Sequence, residues 1–215
     1  MRNLLPGIRN FSFKIFPKYK DFFNSLAQGQ KPHTLLITCA DSRIDPTLVT
    51  QSDPGELFIL RNTGNIIPAF NAAGNSEEAG IEFAVNGLGI KQIVVCGHSQ
   101  CGAMSAILNE QNANGDLVNV HRWLKSADAT RKMISKNKDI TLQEVIEQNT
   151  LIQVDNLKTH PSVATAIKEN RINIFAWVYN FESGCVTLYD PKEKRYVPST
   201  EIKEKDESDT SRFAL

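Results

Sequence analysis

Five side chains in two short clusters are the ones whose types and spacing could do chemistry. Cys39, Asp41 and Arg43 stand in Cys39-Ala40-Asp41-Ser42-Arg43, and His98 and Cys101 in His98-Ser99-Gln100-Cys101-Gly102. Two thiols and an imidazole form a soft donor set that suits Zn²⁺, and three protein ligands leave the metal's fourth position open. Closed structural zinc sites usually have four Cys or His ligands, so a set of three points to catalysis. Taken singly, a buried thiol and a satisfied core histidine are common and carry little weight. Two thiolates cancel the metal's charge, which three neutral histidines do not. A water there should acidify less than the pKa of ~7 of a three-His site, and activity should climb with pH toward ~9. Asp41 and Arg43 predict a dyad in which the guanidinium holds the carboxylate bidentately and aims it. Without the neighbouring thiol the same spacing would read as a turn ion pair worth under ~1 kcal/mol. Gly102, at the start of a helix, would show backbone N–H groups to an anion; plain turn chemistry explains it nearly as well.

Each cluster follows a short apolar run, Leu35-Leu36-Ile37 and Ile93-Val94-Val95, of the kind that reads as a buried strand. Ends of parallel strands open into the crevice where α/β sheets bind ligands, so two strand ends suffice to bring Cys39, His98 and Cys101 together. Strands are expected at 34–38, 57–60, 92–96 and 172–178. Behind Gly184, residues 185–189 read as an antiparallel edge strand. Asp45-Pro46 starts a short helix through Val49. Asn75 caps another with Glu78 as its capping-box partner, and Ile81, Ala84, Val85 and Leu88 share its apolar face. A helix runs from Gly102 to about Asn109, and Asn112 to Gly115 form a loop. Two polar helical segments follow, the second opening on the capping box Thr141–Glu144, and His160-Pro161 ends it and starts a further helix. Strand, helix, strand in this order makes the sheet mainly parallel. The fold class is therefore α/β: a single domain with a mainly parallel central β-sheet, flanking helices, an N-terminal helical arm and an antiparallel edge strand. Residues 1–29 are the arm, rich in Phe and split in two by Pro17. Residues 30–191 form the zinc-binding catalytic domain. Residues 192–215 read as a charged tail, loose or docked on a neighbour.

At 215 residues the chain can bury a real core. Lys plus Arg equals Asp plus Glu, 24 of each, which removes any electrostatic case for nucleic acid or an anionic membrane. The four cysteines are too few for a disulfide framework and fit a reducing, cytoplasmic setting. No run approaches the ~20 apolar residues of a membrane span, and the N-terminus has no uninterrupted apolar segment of a secretory signal. Cys96 and Cys185 read as packed thiols, and His33, His121 and His160 as surface or capping residues, any of which could shuttle protons.

Together the two clusters resemble the β-class carbonic anhydrases. That family carries C-x-D-S-R after its first core strand and G-H-x-x-C-G after a later one. It also carries a G-E-x-F-x-x-R-N segment, here Gly55-Glu56-Leu57-Phe58 leading to Arg61-Asn62. The similarity spans about Gln30 to Pro191. It implies one Zn²⁺ per chain on Cys39, His98 and Cys101, and reversible hydration of carbon dioxide to bicarbonate and a proton (carbonate dehydratase, a lyase). It also implies Asp41 and Arg43 as catalytic residues, and Gln30, Phe58 and Phe83 lining a substrate pocket near a subunit boundary. Plant-like members have Tyr where this chain has Phe83, so one ligand-reaching hydroxyl is missing. The resemblance further implies an arm lying over a partner subunit in a homodimer or a multiple of dimers. One group of the family switches Asp onto zinc in response to bicarbonate. It has Trp three residues before the first zinc Cys and Gly immediately before it. This chain has Leu36 and Thr38, so the expectation is the open form, with Asp41 a fourth zinc ligand only in a closed state. Two rivals stay open at this point: a CS2 or COS hydrolase on the same scaffold, and a non-catalytic, zinc-stabilised binding protein.

Overall fold

The computed structural model describes residues 4–109, 116–137, 139–202 and 210–215. The chain divides into two units, Met1–Lys31 and Pro32–Leu215. The boundary falls two residues later than the sequence suggests, so Gln30 belongs to the arm.

In the arm, α1 (Leu5–Asn10) and α2 (Lys20–Leu26) are joined by a π-helical turn, Phe11–Ile15, and a 3₁₀ turn, Phe16–Tyr19. Pro17 breaks the α-hydrogen bonding as expected, but the chain keeps turning, because proline is tolerated at the first turn of a new helical segment. Phe16 and Phe23 stack at 5.3 Å between centroids, and Phe11 meets Phe23 edge-on at 5.8 Å. The arm thus has a small aromatic cluster of its own, while Leu4, Ile8, Phe13 and Tyr19 stay more than half exposed.

The second unit is built on a six-stranded sheet in the order β2-β1-β3-β4-β5-β6. Its strands are β1 (Thr34–Cys39), β2 (Leu57–Asn62), β3 (Gln92–His98), β4 (Asn173–Tyr179), β5 (Val186–Asp190) and β6 (Arg195–Pro198). The first four are parallel and the last two antiparallel. The helices are α3 (Pro46–Thr50), α4 (Ser76–Glu82), α5 (Gly102–Leu108), α6 (Val118–Leu124), α7 (Asp128–Lys136), α8 (Leu142–Lys158) and α9 (Pro161–Lys168). The capping residues expected at Asp45, Asn75 and Thr141 each accept backbone N–H groups, and Thr141 and Glu144 complete their capping box. The loop expected over Asn112–Gly115 lies outside the described residues.

Alternation along the strands builds two core layers. Leu35, Ile37, Ile93 and Val95 face one way and pack with Ile81 and Val85, with Val154 and Leu157 of α8, and with Val163 of α9. Leu36, Val94, Cys96 and Phe175 face the other way and meet Val197 and Phe213. This second face explains two departures from the sequence reading. Residues 185–189 were expected to be the edge, yet β5 has a strand on both sides and β6 is the edge. Nor are the described parts of residues 192–215 loose. Val197 and Phe213 are 6% and 3% exposed, the Leu215 amide donates to the Ile174 carbonyl at 2.9 Å, and Arg212 pairs with the wholly buried Asp190. Burying a Phe contributes about 1.5–3 kcal/mol, enough to hold a charged segment whose few apolar residues are well placed.

Candidate functional site

β1 runs to Cys39 and β3 to His98, so both donors are the last residues of buried parallel strands at one end of the sheet. Thr38 and Cys96 stand in register, and the Thr38 hydroxyl donates to the Cys96 carbonyl at 2.9 Å, tying the two strand ends together. Gln100 then takes a left-handed conformation (φ +54°), which turns the chain sharply and returns Cys101 toward His98. The Sγ atoms of Cys39 and Cys101 and a ring nitrogen of His98 lie within 4.8 Å of one another, all in buried residues. A carbonyl oxygen can only accept, so the 2.8 Å contact of His98 Nδ1 with the Ser99 carbonyl assigns the proton to Nδ1. His98 Nε2 is left buried with no hydrogen-bond partner. An orphaned imidazole lone pair facing two thiols is costly unless a metal takes it, and the backbone contact at Nδ1 is the usual way a ligating histidine is oriented. The donor set fits zinc.

The two thiols are not equivalent. The Cys101 thiol beside it is the largest influence on Cys39, and with the nearby His98 ring and two backbone N–H groups it outweighs desolvation and holds Cys39 below the ordinary thiol range. The same neighbour, followed by burial, pushes Cys101 up. Cys96, by contrast, is raised to about 12 by burial, in keeping with a packed thiol.

Asp41 and Arg43 form the expected dyad. Arg43 Nε donates to Asp41 Oδ1 at 2.9 Å and Nη2 to Oδ2 at 2.8 Å, while the Arg43 backbone N–H adds a third bond at 3.0 Å. These bonds, the side-chain pair first, hold the Asp41 carboxyl well below the usual carboxylate range. Arg61 secures the loop from beneath, donating to the carbonyls of Cys39 at 3.1 Å and Asp41 at 2.7 Å.

The segment after β2 forms the opposite wall. Gly64 (φ +84°) turns so that its N–H points at Cys39 Sγ, 3.3 Å away, and a Cβ there would sit 2.8 Å from that of Ala103. Side chains hold this loop: Trp123 donates to the Thr63 carbonyl, Gln153 accepts from the Ile67 N–H, and Asn156 donates to the Ile67 carbonyl. Trp123, Gln153 and Asn156 were not singled out in the sequence, although polar residues on the inner face of a buried helix are the signal that could have found the last two.

The remaining expected residues fall elsewhere. Gly102 opens α5 beside Cys101 and is exposed. Phe58 and Phe83 meet at 5.9 Å, with Phe83 half exposed. Phe58 lies four residues before Asn62, the register partner of Cys39, roughly 13 Å along the strand. Within one chain these rings therefore stand apart from the sulfur cluster.

A mainly parallel α/β sheet with two thiols, an imidazole and an Asp–Arg pair at one end defines the class: an α/β enzyme built around a transition-metal donor set. The family model for carbonic anhydrase matches residues 34–186. The chain is 44% identical over 189 residues to a carbonic anhydrase of Synechococcus elongatus, covering 86% of this chain and 70% of that one. It is 40% identical over 205 residues to one of Pseudomonas aeruginosa, covering 94% and 93%. The solved β-carbonic anhydrase CcaA superposes with a TM-score of 0.87 at 38% identity, over 91% of this chain and 90% of that one. A tetrameric β-carbonic anhydrase of Sordaria macrospora superposes at 0.76 and 27% identity, over 86% and 93%. The chain belongs to the carbonic anhydrase family, in its β class. Its reaction is the reversible hydration of carbon dioxide, and zinc is the cofactor general to that family.

Proposed function

We propose that Cys39, His98 and Cys101 hold one zinc ion per chain, and that Asp41 and Arg43 carry the catalytic positioning for hydration of carbon dioxide in an open site. The observation that carries this reading is the buried, unpartnered His98 Nε2 facing two sulfurs, with the Asp41–Arg43 pair beside them. When bound, zinc supplies a Lewis acid that makes water a competent nucleophile near neutral pH. Cys39 and Cys101 bind as thiolates, and His98 binds through Nε2. The Gly64 N–H supports the charge on Cys39. Asp41, kept ionised by Arg43, accepts a hydrogen bond from the attacking water and so points its lone pair at carbon. The water oxygen forms the new bond to carbon, and one oxygen of carbon dioxide takes the negative charge. The proton leaves to solvent or buffer. Gly102 contributes backbone N–H groups to the departing bicarbonate.

The dyad geometry supports the open form. Arg43 gives both its fork positions to Asp41, and a carboxylate that left for the metal would strand that guanidinium. Thr38 and Leu36, both buried, stand where the switching group has Gly and Trp, so part of that group's bicarbonate pocket is missing.

Gln30, Phe58 and Phe83 complete an apolar pocket across a subunit boundary, in a homodimer or a multiple of dimers. The separation of Phe58 and Phe83 from the sulfur cluster within one chain supports a contribution from the second copy. Four free cysteines support a reducing, cytoplasmic setting. Among the described residues no helix is long and apolar enough to cross a membrane.

The test is stopped-flow hydration of carbon dioxide on zinc-loaded protein, with sulfide release from CS2 and COS assayed on the same preparation, and elemental analysis of Cys39→Ser and Cys101→Ser. The expected result is hydration without sulfide release, one zinc per wild-type chain, and zinc lost or greatly reduced in both variants. Full zinc occupancy in both variants would refute the ligand assignment.

A further inference from the structure

Phe181, on the turn that follows β4, lies between two groups of the site. Its ring centroid is 5.0 Å from that of His98, and the Arg43 guanidinium carbon sits 4.5 Å above it. Tyr179 abuts it edge-on at 5.3 Å and limits how far the ring can turn. Its backbone is pinned as well. The Phe181 N–H donates to the Ser99 hydroxyl at 2.9 Å, which in turn donates to Glu182 at 2.9 Å, and Gln100 Nε2 donates to the other Glu182 oxygen at 3.2 Å. The turn after β4 is thereby stitched to the segment between His98 and Cys101.

Arg43 needs such a support. Its side chain is 52% exposed, and an exposed arginine has many rotamers in which it would miss Asp41. Asp41 can fix the distance to the guanidinium but not the face it presents to its surroundings. An aromatic face beneath a guanidinium attracts it through the ring quadrupole and keeps it planar to the ring, a preference that lysine or an aliphatic wall does not reproduce. The only other protein acceptor recorded for the Arg43 side chain among the described residues is the Gln100 carbonyl, at 3.2 Å. We infer that Phe181 is a positioning residue for the reaction: it holds the Arg43 guanidinium flat so that both fork positions engage Asp41, and it packs the outer face of the His98 ring. This rests on the reading of Asp41 and Arg43 given under Proposed function.

The experiment compares Phe181→Ala, Phe181→Leu and Phe181→Tyr in full-length, zinc-loaded protein. Two quantities are read: steady-state carbon dioxide hydration, and the ¹⁵N–¹H signal of the Arg43 Nε–H, assigned by its loss in Arg43→Lys. In the wild type that signal should be ring-current shifted and slow to exchange. Phe181→Ala should lose both features and lower kcat about three- to tenfold with KM little changed. Phe181→Tyr should keep the signal and stay within about twofold of wild type. Phe181→Leu keeps apolar volume, so it should fold even where the Ala variant does not, yet it should behave like Ala. Wild-type kcat and wild-type slow exchange of the Arg43 Nε–H in the Leu variant would overturn the inference and leave only packing. A wild type inert toward carbon dioxide, with the Arg43 signal responding as described, would instead overturn the proposed function while Phe181's hold on Arg43 stands.

Discussion

At the scale of single residues the site works through pairs. Arg43 without Asp41 is an exposed cation, and Asp41 without Arg43 is a carboxylate free to rotate. Arg43→Ala removes a bidentate, charge-assisted bond, worth about 1.5–3 kcal/mol, so kcat should fall about ten- to a hundredfold. Arg43→Lys should not restore it, because an ammonium has no fork to match a carboxylate. Both are read by stopped-flow hydration, and near-wild-type rates in the Ala variant would remove Asp41 and Arg43 from the mechanism. The pH dependence follows from the direction of the Asp41 shift. Its folded carboxyl titrates below the ordinary ~3.9, so it is ionised throughout the working range and contributes no rising limb there. A rise in kcat with pH toward ~9 therefore belongs to the nucleophile, and Asp41→Asn should lower the plateau without moving the midpoint.

At the scale of elements, two contacts decide how the strands meet the helices. Gly97 lies in β3, one residue before His98, and a Cβ there would sit 2.7 Å from Thr150 Oγ1 and 3.1 Å from Ile146 Cγ2 on α8. The helix can approach the strand only because the side chain is absent. Gly97→Ala should cost about 1–3 kcal/mol of stability by overpacking, seen as a lowered Tm, and should disturb His98 enough to weaken zinc binding. The second contact anchors the C-terminus. Burial pushes the Asp190 carboxyl up, but the Glu193 N–H, the Arg212 guanidinium and the Lys192 N–H outweigh it and leave it below its ordinary value. A carboxyl lowered on folding stabilises above its unfolded pKa of ~3.9 and loses that contribution as pH falls through the folded value. Asp190→Asn should therefore loosen the C-terminal segment at neutral pH by about 1–3 kcal/mol. Wild type should approach the variant only in strong acid. Hydrogen exchange at the Ala214 and Leu215 amides, both bonded to carbonyls, measures it directly.

At the scale of the whole molecule, the arm is the part whose surface lacks a reason within its own unit. Leu4 is 73% exposed, Phe13 77% and Ile8 59%, an apolar display that usually marks an interface. Deleting residues 1–25 should produce subunit loss or aggregation in light scattering. If Gln30, Phe58 and Phe83 serve a neighbour's site, the same deletion should also lower kcat/KM in any residual soluble fraction. A fully active, monodisperse monomer would show that one chain suffices.

Much of this protein was legible from its chain alone, wherever the signal is local. The apolar runs before Cys39 and His98 marked buried strands, because period and β-branching are properties of neighbours in sequence. Asp45, Asn75 and Thr141 marked helix starts, because a cap bonds within three residues of itself. The clustering of Cys39, His98 and Cys101 and the Asp41–Arg43 pair were legible because few uses other than zinc chemistry put those side chains together. What only the tertiary structure decided involves partners far apart in sequence. β6 and the docking of Phe213 depend on a sheet face completed by Leu36, Val94 and Phe175, which no local pattern in 192–215 announces. The hold of Trp123, Gln153 and Asn156 on the loop around Gly64 joins residues some 60 to 90 positions apart. Phe181 reaches Arg43 across a still longer separation, and an aromatic ring in a turn has no sequence signature until the guanidinium above it is seen. Local patterns named the clustered donors, and long-range packing determined what surrounds and holds them.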